Sequence, residues 1–243
     1  MYLSRLVLDS RRPQVRRDLG NVHQLHRSVL AAFPQAPDGV SARAHFGILY
    51  RVEPLANTPM FIRILVQSNI EPDWSFLPTT SLGPSPDERG NPAFRRVDEE
   101  YERIVPGMQL LFRLRANPTR TISDRTPGRE DRLLGKRVAL LREKEQLAWL
   151  ARKGDQHGFH LLTTELNPEV SSVHAASQAN ERGWRPGRDG IDGAKLTFGA
   201  VLFNGCLEVS DGELFRAALA NGIGSGKAFG FGLLSIANLT PSV

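Results

Sequence analysis

Two histidines and an arginine share one short stretch, NVHQLHRSVL at residues 21 to 30. On a helix, at about 100° per residue, Val22, Leu25, Val29 and Phe33 form one apolar stripe. His26 then lies at the stripe's edge, His23 further round and Arg27 beyond it. Residues three and four apart on a helix are neighbours, so all three side chains can reach one bound group. Asn21 is a good N-cap, which puts the trio in the first turns, where the helix end attracts an anion and disfavours extra charge on an imidazole. A neutral histidine beside a phosphate is what proton transfer near neutral pH requires. Two other readings fit the same residues: surface histidines without a role, or a zinc pair. The pair has no Cys or further His beside it, and the nearest carboxylates, Asp9 and Asp18, precede the helix.

A second stretch, NGIGSGKAFGFGLLSI at 221 to 236, holds five glycines and one lysine up to Gly232. A Walker-type phosphate loop would need G-x-x-x-x-G-K-[ST] between a strand and a helix. Here Ala228 follows Gly226-Lys227, Asn occupies position 221, and the segment follows a predicted helix and enters a predicted strand. A dinucleotide fingerprint fails on the same context. What remains is a basic loop whose glycines let backbone approach a bulky partner closely, with Gly224, Gly226 and Lys227 as candidate contacts.

Charge supports a polyanionic partner. The net charge of +5 is modest but unevenly spread. Residues 1 to 28 carry six arginines against two aspartates, residues 71 to 102 eight acids against three arginines, and residues 103 to 137 nine arginines and lysines against three acids. Arginine, with its planar fork, suits bidentate phosphate contact and base stacking. A generic solvated surface would show the same totals. The acidic connector is the segment expected to face a protein neighbour. One cysteine, Cys206, excludes an intramolecular disulfide and a cysteine-based zinc site and fits a reducing cytoplasm. The arginine-rich start has no long apolar core, so neither a signal peptide nor a membrane span is expected.

These groups need a scaffold, and the patterning supplies one. LSRLVLD (3 to 9) alternates like a strand, a helix starting at Asn21 ends before Pro34, and HFGILYRVE (45 to 53) and MFIRILVQS (60 to 68) read as paired strands. AFRRVDEEYERI is ambiguous between helix and strand. From Gly107 the order β, α, β, β, α, β is expected, with strands in GMQLLFRLRANP, GFHLLTTEL, KLTFGAVLFNGCLEVS and GLLSIANL, a helix at 141 to 154 closed by Gly154, and a helix in DGELFRAALANG. Strand pairs without intervening helices favour an α+β fold of tandem ferredoxin-like (RRM-like) domains with antiparallel sheets over a doubly wound parallel sheet. The expected domains are 1–102, carrying the histidine helix and ending in the acidic connector, and 103–243, carrying the glycine-rich loop.

LVLDSRRPQVRRDLGNVHQLHR, EPDWS, LLFRLRANP, GKRVAL and GIGSGKAFGFGLLSI, in that order, resemble the CRISPR repeat-processing endoribonucleases of type I-E systems, the CasE family. The resemblance spans nearly the whole chain. It implies tandem ferredoxin-like domains that bind the hairpin of a CRISPR repeat RNA and cut at its 3′ base without metal or cofactor. The 2′-hydroxyl attacks the adjacent phosphate, leaving a 2′,3′-cyclic phosphate and a 5′-hydroxyl. The protein then stays on its product with the other subunits of the surveillance complex. His26 matches the family's catalytic histidine, as general acid or base, and Arg27 is expected to stabilise charge on the phosphorane. Relatives commonly carry tyrosine where this chain has His23. The basic β-hairpin that engages the RNA stem corresponds to ERGWRPGRDGIDGAK (181 to 195), with Arg182, Arg185, Arg188 and Lys195 as contacts. Arg113 and Arg115 join the RNA-binding set.

Overall fold

The structure, a computed structural model of the 243-residue chain, describes residues 1–122, 135–164, 167–185 and 194–239. Strand β1 (Tyr2–Asp9) leads to helices α1 (Pro13–Leu19), α2 (Val22–Leu30) and the one-turn α3 (Ala42–His45), then to β2 (Leu49–Pro54), β3 (Phe61–Ser68), β4 (Ala93–Arg96) and α4 (Asp98–Glu102). The four strands form an antiparallel sheet in the order β2-β3-β1-β4, with Tyr2 opposite Ser68 on one side and Arg96 on the other. This is the ferredoxin-like order with all four strands. The ambiguous AFRRVDEEYERI segment supplies both elements: its first residues form β4, its acidic middle α4. Where the fold's second helix would stand, the chain makes only a 3₁₀ turn, Thr79–Ser81.

The second half repeats the plan with additions. Strand β5 (Gln109–Ala116) is followed by a small hairpin, β6 (Thr119–Thr121) with β7 (Arg137–Ala139), and by α5 (Glu143–His157). Short strands β8 (Phe159–Leu161), β9 (Thr163–Thr164) and β10 (Asn167–Ser171) precede the long pair β11 (His174–Arg185) and β12 (Ala194–Val209), then α6 (Gly212–Asn221) and β13 (Leu234–Asn238). The sheet order is β11-β12-β5-β13, the same as in the first half, with β8 pairing the end of β12. Both halves are ferredoxin-like.

The helix expected from Asn21 is α2, with Asn21 as its N-cap, and a shorter helix that sequence reading missed, α1 opened by Pro13, precedes it. Two expectations are corrected. GFHLLTTEL is not the main second strand; that place belongs to β11, a polar strand with little hydrophobic signal. Gly154 does not close α5. It lies inside the helix, where a Cβ would stand 2.4 Å from the Phe159 carbonyl oxygen, and the left-handed cap is Gly158 at φ +73°.

Helices cover one face of each sheet. Leu25 and Val29 of α2 and Val15 of α1 pack on Leu6, Leu8, Ile64 and Val66, and the expected stripe of Val22, Leu25, Val29 and Phe33 is buried throughout. In the second half α5 and α6 cover Phe112, Leu114, Phe203 and Leu207. The halves meet through a polar insertion. The Arg51 guanidinium of β2, 2% exposed, donates to the Arg113 and Leu233 carbonyls (3.1 and 3.0 Å), to Ser235 Oγ (3.0 Å) and to Glu53 Oε1 (2.7 Å). Burial alone would raise the Glu53 pKa, but Arg51 and Arg63 outweigh it and hold the carboxyl below its usual range. Gln67 Nε2 donates to the Leu219 carbonyl at 2.7 Å, a second inter-half bond. Several carboxylates of the acidic connector are engaged within the first half: Asp87 with Arg5, Glu100 with Arg95, and Asp98 with Arg96 and the amino terminus. Among the described residues no helix is long and apolar enough to cross a membrane.

Candidate active site

Asn21 fixes the start of α2. Its side-chain oxygen accepts from the His23 amide at 3.0 Å, which satisfies one of the helix's free N–H groups and sets the phase of the turns that follow. That phase buries Val22, Leu25 and Val29 and leaves His26 half-buried at the edge, with His23 one turn before it and Arg27 exposed. Strand β11 runs close to this helix start. A Cβ on Gly183 would stand 2.6 Å from Val22 Cγ2 and 3.2 Å from Asn21 Oδ1, so only glycine lets the strand approach. Its neighbour Arg182 is exposed. The base of the basic hairpin is thereby brought beside the histidine helix.

The glycine-rich segment meets α2 one turn further on, at His26. Gly226 (φ +79°) and Gly230 (φ +82°) bracket a 3₁₀ turn, Lys227–Phe229, in a left-handed conformation that residues with a Cβ adopt at a cost. The turn is pinned by the Tyr50 hydroxyl, which donates to the Ala228 carbonyl at 3.0 Å, and a Cβ on Gly230 would stand 3.1 Å from the Tyr50 ring. So held, Phe229 sets its ring edge against His26, centroids 6.0 Å apart, and is backed in turn by Phe198 at 5.0 Å. Phe198 also touches Phe231, over whose ring the Arg115 guanidinium lies at 4.7 Å. The loop is thus a buttress: its glycines place one aromatic ring behind the histidine.

Electrostatically the crease is positive. Burial first, then the charges of His23 and Arg43, push His26 down to about 4, so its imidazole is neutral at pH 7. His26 Nδ1 is buried with no hydrogen-bond partner. Buried polar atoms are normally paired, so this nitrogen keeps its capacity to accept a hydrogen bond. Lys227, half-buried, is lowered by burial and by Arg43 and Lys153. Arg43, on α3, therefore acts on both His26 and Lys227. Nothing in the sequence distinguishes it from the other arginines.

The remaining candidates are distributed as follows. Arg185 and Lys195 lie in the paired stems of β11 and β12, in which Arg185 stands opposite Ala194 and Trp184 opposite Lys195. Arg188 lies outside the described residues. Gly224 (φ +85°) lies beside Trp149, whose ring would stand 3.2 Å from a Cβ at that position, and serves loop geometry. Arg113, partly exposed, donates to Asn204 Oδ1 at 2.6 Å and sits 3.5 Å from Glu53. Arg115 departs from its expected role: it is 5% exposed and paired with Glu181 and Gln178, which makes it a brace under the loop.

Comparison with known proteins fits this geometry. The family model described as "CRISPR associated protein" matches residues 1–238. The chain is 37% identical over 238 residues to the CRISPR-associated endoribonuclease Cse3 of Thermus thermophilus, covering 98% of this chain and all of the relative. It is 31% identical over 245 residues to the CRISPR system Cascade subunit CasE of Escherichia coli, with 98% and 100% covered. A solved structure of Cse3 bound to a 19-nucleotide RNA superposes with a TM-score of 0.74 at 35% identity, over 98% of this chain and 100% of that one. The chain belongs to the CRISPR-associated protein family, in the group that contains Cse3 and CasE.

Proposed function

We propose that this protein is the endoribonuclease that cuts the repeat hairpins of CRISPR precursor RNA and stays with its product as a subunit of a type I-E surveillance complex. One observation carries the reading: His26 is a half-buried, neutral imidazole with an unpartnered nitrogen, set in a cationic crease. Its full-length similarity to an endoribonuclease and to a Cascade subunit supports the substrate and the assembly. A neutral imidazole accepts a proton, so His26 takes the one on the 2′-hydroxyl. The 2′-oxygen attacks the adjacent phosphorus, the bond to the 5′-oxygen breaks, and a 2′,3′-cyclic phosphate and a 5′-hydroxyl result. His23, one turn earlier on the same helix, is the group placed to return a proton to the departing oxygen. Arg27, Arg43 and Lys227 stabilise the negative charge that grows on the phosphorane. The base of the β11–β12 hairpin, with Arg182, holds the stem through its phosphates, since the major groove of A-form RNA is too deep and narrow to read. The free Cys206 suits work in the reducing cytoplasm.

The test is cleavage of the cognate hairpin in excess EDTA by wild type and His26→Ala, and of a substrate with a 2′-deoxy scissile nucleotide. Cleavage by wild type should survive EDTA and stop with either change. Tight binding with no cleavage of any substrate would identify instead an RNA-binding subunit that has lost the reaction, a reading that His23 in the tyrosine position favours. Cleavage abolished by EDTA would point to a metal site at the histidine pair.

A further inference from the structure

Beyond the reacting crease, on the far side of the glycine-rich segment, the second half carries a polar cavity of about 440 Å³. Arg137 of β7, Lys153 and His157 of α5, and Lys227 surround it, and no carboxylate among the described residues lines it. Asn117, Thr119, Thr121 and Ser225 add amide and hydroxyl groups. Asn117 is 7% exposed, and its Oδ1 is buried with no hydrogen-bond partner. Three cations, Arg137, Lys153 and Lys227, with no carboxylate among the lining residues and beside an unsatisfied buried amide, describe a site built for an anionic group that also carries a donor. A ribose phosphate has both: its phosphate answers the cations, and its 2′-hydroxyl or a base N–H answers Asn117.

We propose that this cavity binds the unpaired nucleotide on the 3′ side of the scissile phosphate. The inference rests on the endoribonuclease reading above. Lys227 joins the two places, since it lines the cavity and shares its 3₁₀ turn with Phe229, whose ring edge meets His26. A volume of about 440 Å³ is on the scale of a single nucleotide, while the stem is assigned to the β11–β12 hairpin. Supporting the charge argument, His157 and Lys227 are both held below their ordinary pKa values, by burial and by neighbouring cations that an incoming phosphate would neutralise. Because the 3′ flank departs with the 5′-hydroxyl fragment, the cavity strengthens the grip on substrate and leaves the grip on the product hairpin unchanged.

Affinities for two hairpins with a 2′-deoxy scissile nucleotide, one trimmed at the cleavage point and one carrying a short 3′ flank, test this. Wild type should prefer the flanked RNA. The double variant Arg137→Gln with Lys153→Gln, altering side chains at the surface, should bind the flanked RNA about tenfold more weakly and the trimmed one equally well. The slope of log affinity against log salt on the flanked RNA should fall by about 0.7 for each phosphate contact removed. Asn117→Ala should weaken only the flanked RNA while melting no lower than wild type, because it deletes an unpaired buried oxygen. Equal wild-type affinity for both RNAs, or a variant that weakens both alike, overturns the proposal and leaves the endoribonuclease reading standing. Wild type that binds neither hairpin strikes that reading instead. An unstructured oligoribonucleotide then tests the cavity alone: binding lost in the double variant supports it, and unchanged binding overturns it.

Discussion

The two halves share a strand order and differ in what they add to it. The first half covers its sheet lightly: two short helices on one side and a 3₁₀ turn where a second helix would stand. The second half has both helices, extra hairpins, and a strand pair of 12 and 16 residues. The lighter half bears the histidines, and the heavier half supplies what presses on them: Gly183 of β11 at the helix start and Phe229 of the glycine-rich turn at His26. On the reading proposed above, one strand order serves two ends: one half presents the reacting groups, and the other positions them and grips RNA.

The largest expected effect isolates the first role. His26→Ala should slow cleavage about 10²- to 10⁴-fold in single-turnover assays while hairpin affinity stays near wild type. If affinity falls as far as rate, the division of labour is wrong. Next comes the joint between the halves. Arg51→Ala removes a buried guanidinium that serves Glu53, Ser235 and two carbonyls of the other half, and should cost about 3–5 kcal/mol in denaturant unfolding. A loss below about 1 kcal/mol would show that the joint is held by other contacts. A smaller effect is expected at Gly230, where alanine must accept φ +82° against the Tyr50 ring: about 1–2 kcal/mol by thermal melting, with a lower cleavage rate from a displaced Phe229. A slower enzyme that melts like wild type would separate positioning from stability.

The smallest effect lies in pH. Since the His26 pKa is held near 4, kcat/KM should stay flat from about pH 8 to pH 5 as far as this base is concerned, and fall only as pH approaches 4. An ordinary histidine would lose activity through about 6.5. The linkage sign follows: with its folded value below the unfolded one, His26 contributes its full stability above about pH 6.5 and loses it as pH falls toward 4. Unfolding titrations of wild type and His26→Gln should diverge across that window.

Sequence periodicity carries the histidine stripe because a helix with one buried face writes its phase directly into residue types. Val22, Leu25, Val29 and Phe33 are all buried, and Asn21 caps as its side chain predicts. Strand β11 escapes pattern reading for the opposite reason: HAASQANERGWR lies at the sheet's edge, has few apolar residues and packs small side chains such as Ala175. Gly154 shows a further limit, since a glycine demanded by a close neighbour reads in sequence like one demanded by a turn. Arg43 and the cavity around Asn117 are beyond reach altogether. They are assembled from a one-turn helix, a hairpin, α5 and the glycine-rich segment, and no local pattern records a juxtaposition made by tertiary packing.

The ring behind His26 has a consequence for the order in which the protein comes into being. Synthesis runs from the amino terminus at about 5–20 residues per second, and domains fold largely as they emerge. The histidine helix is thus made early, yet its aromatic backing and the lysine beside it wait for residues 227 to 229. A ribosome-bound chain thus carries the His26 imidazole before the ring and the ammonium that flank it have been made.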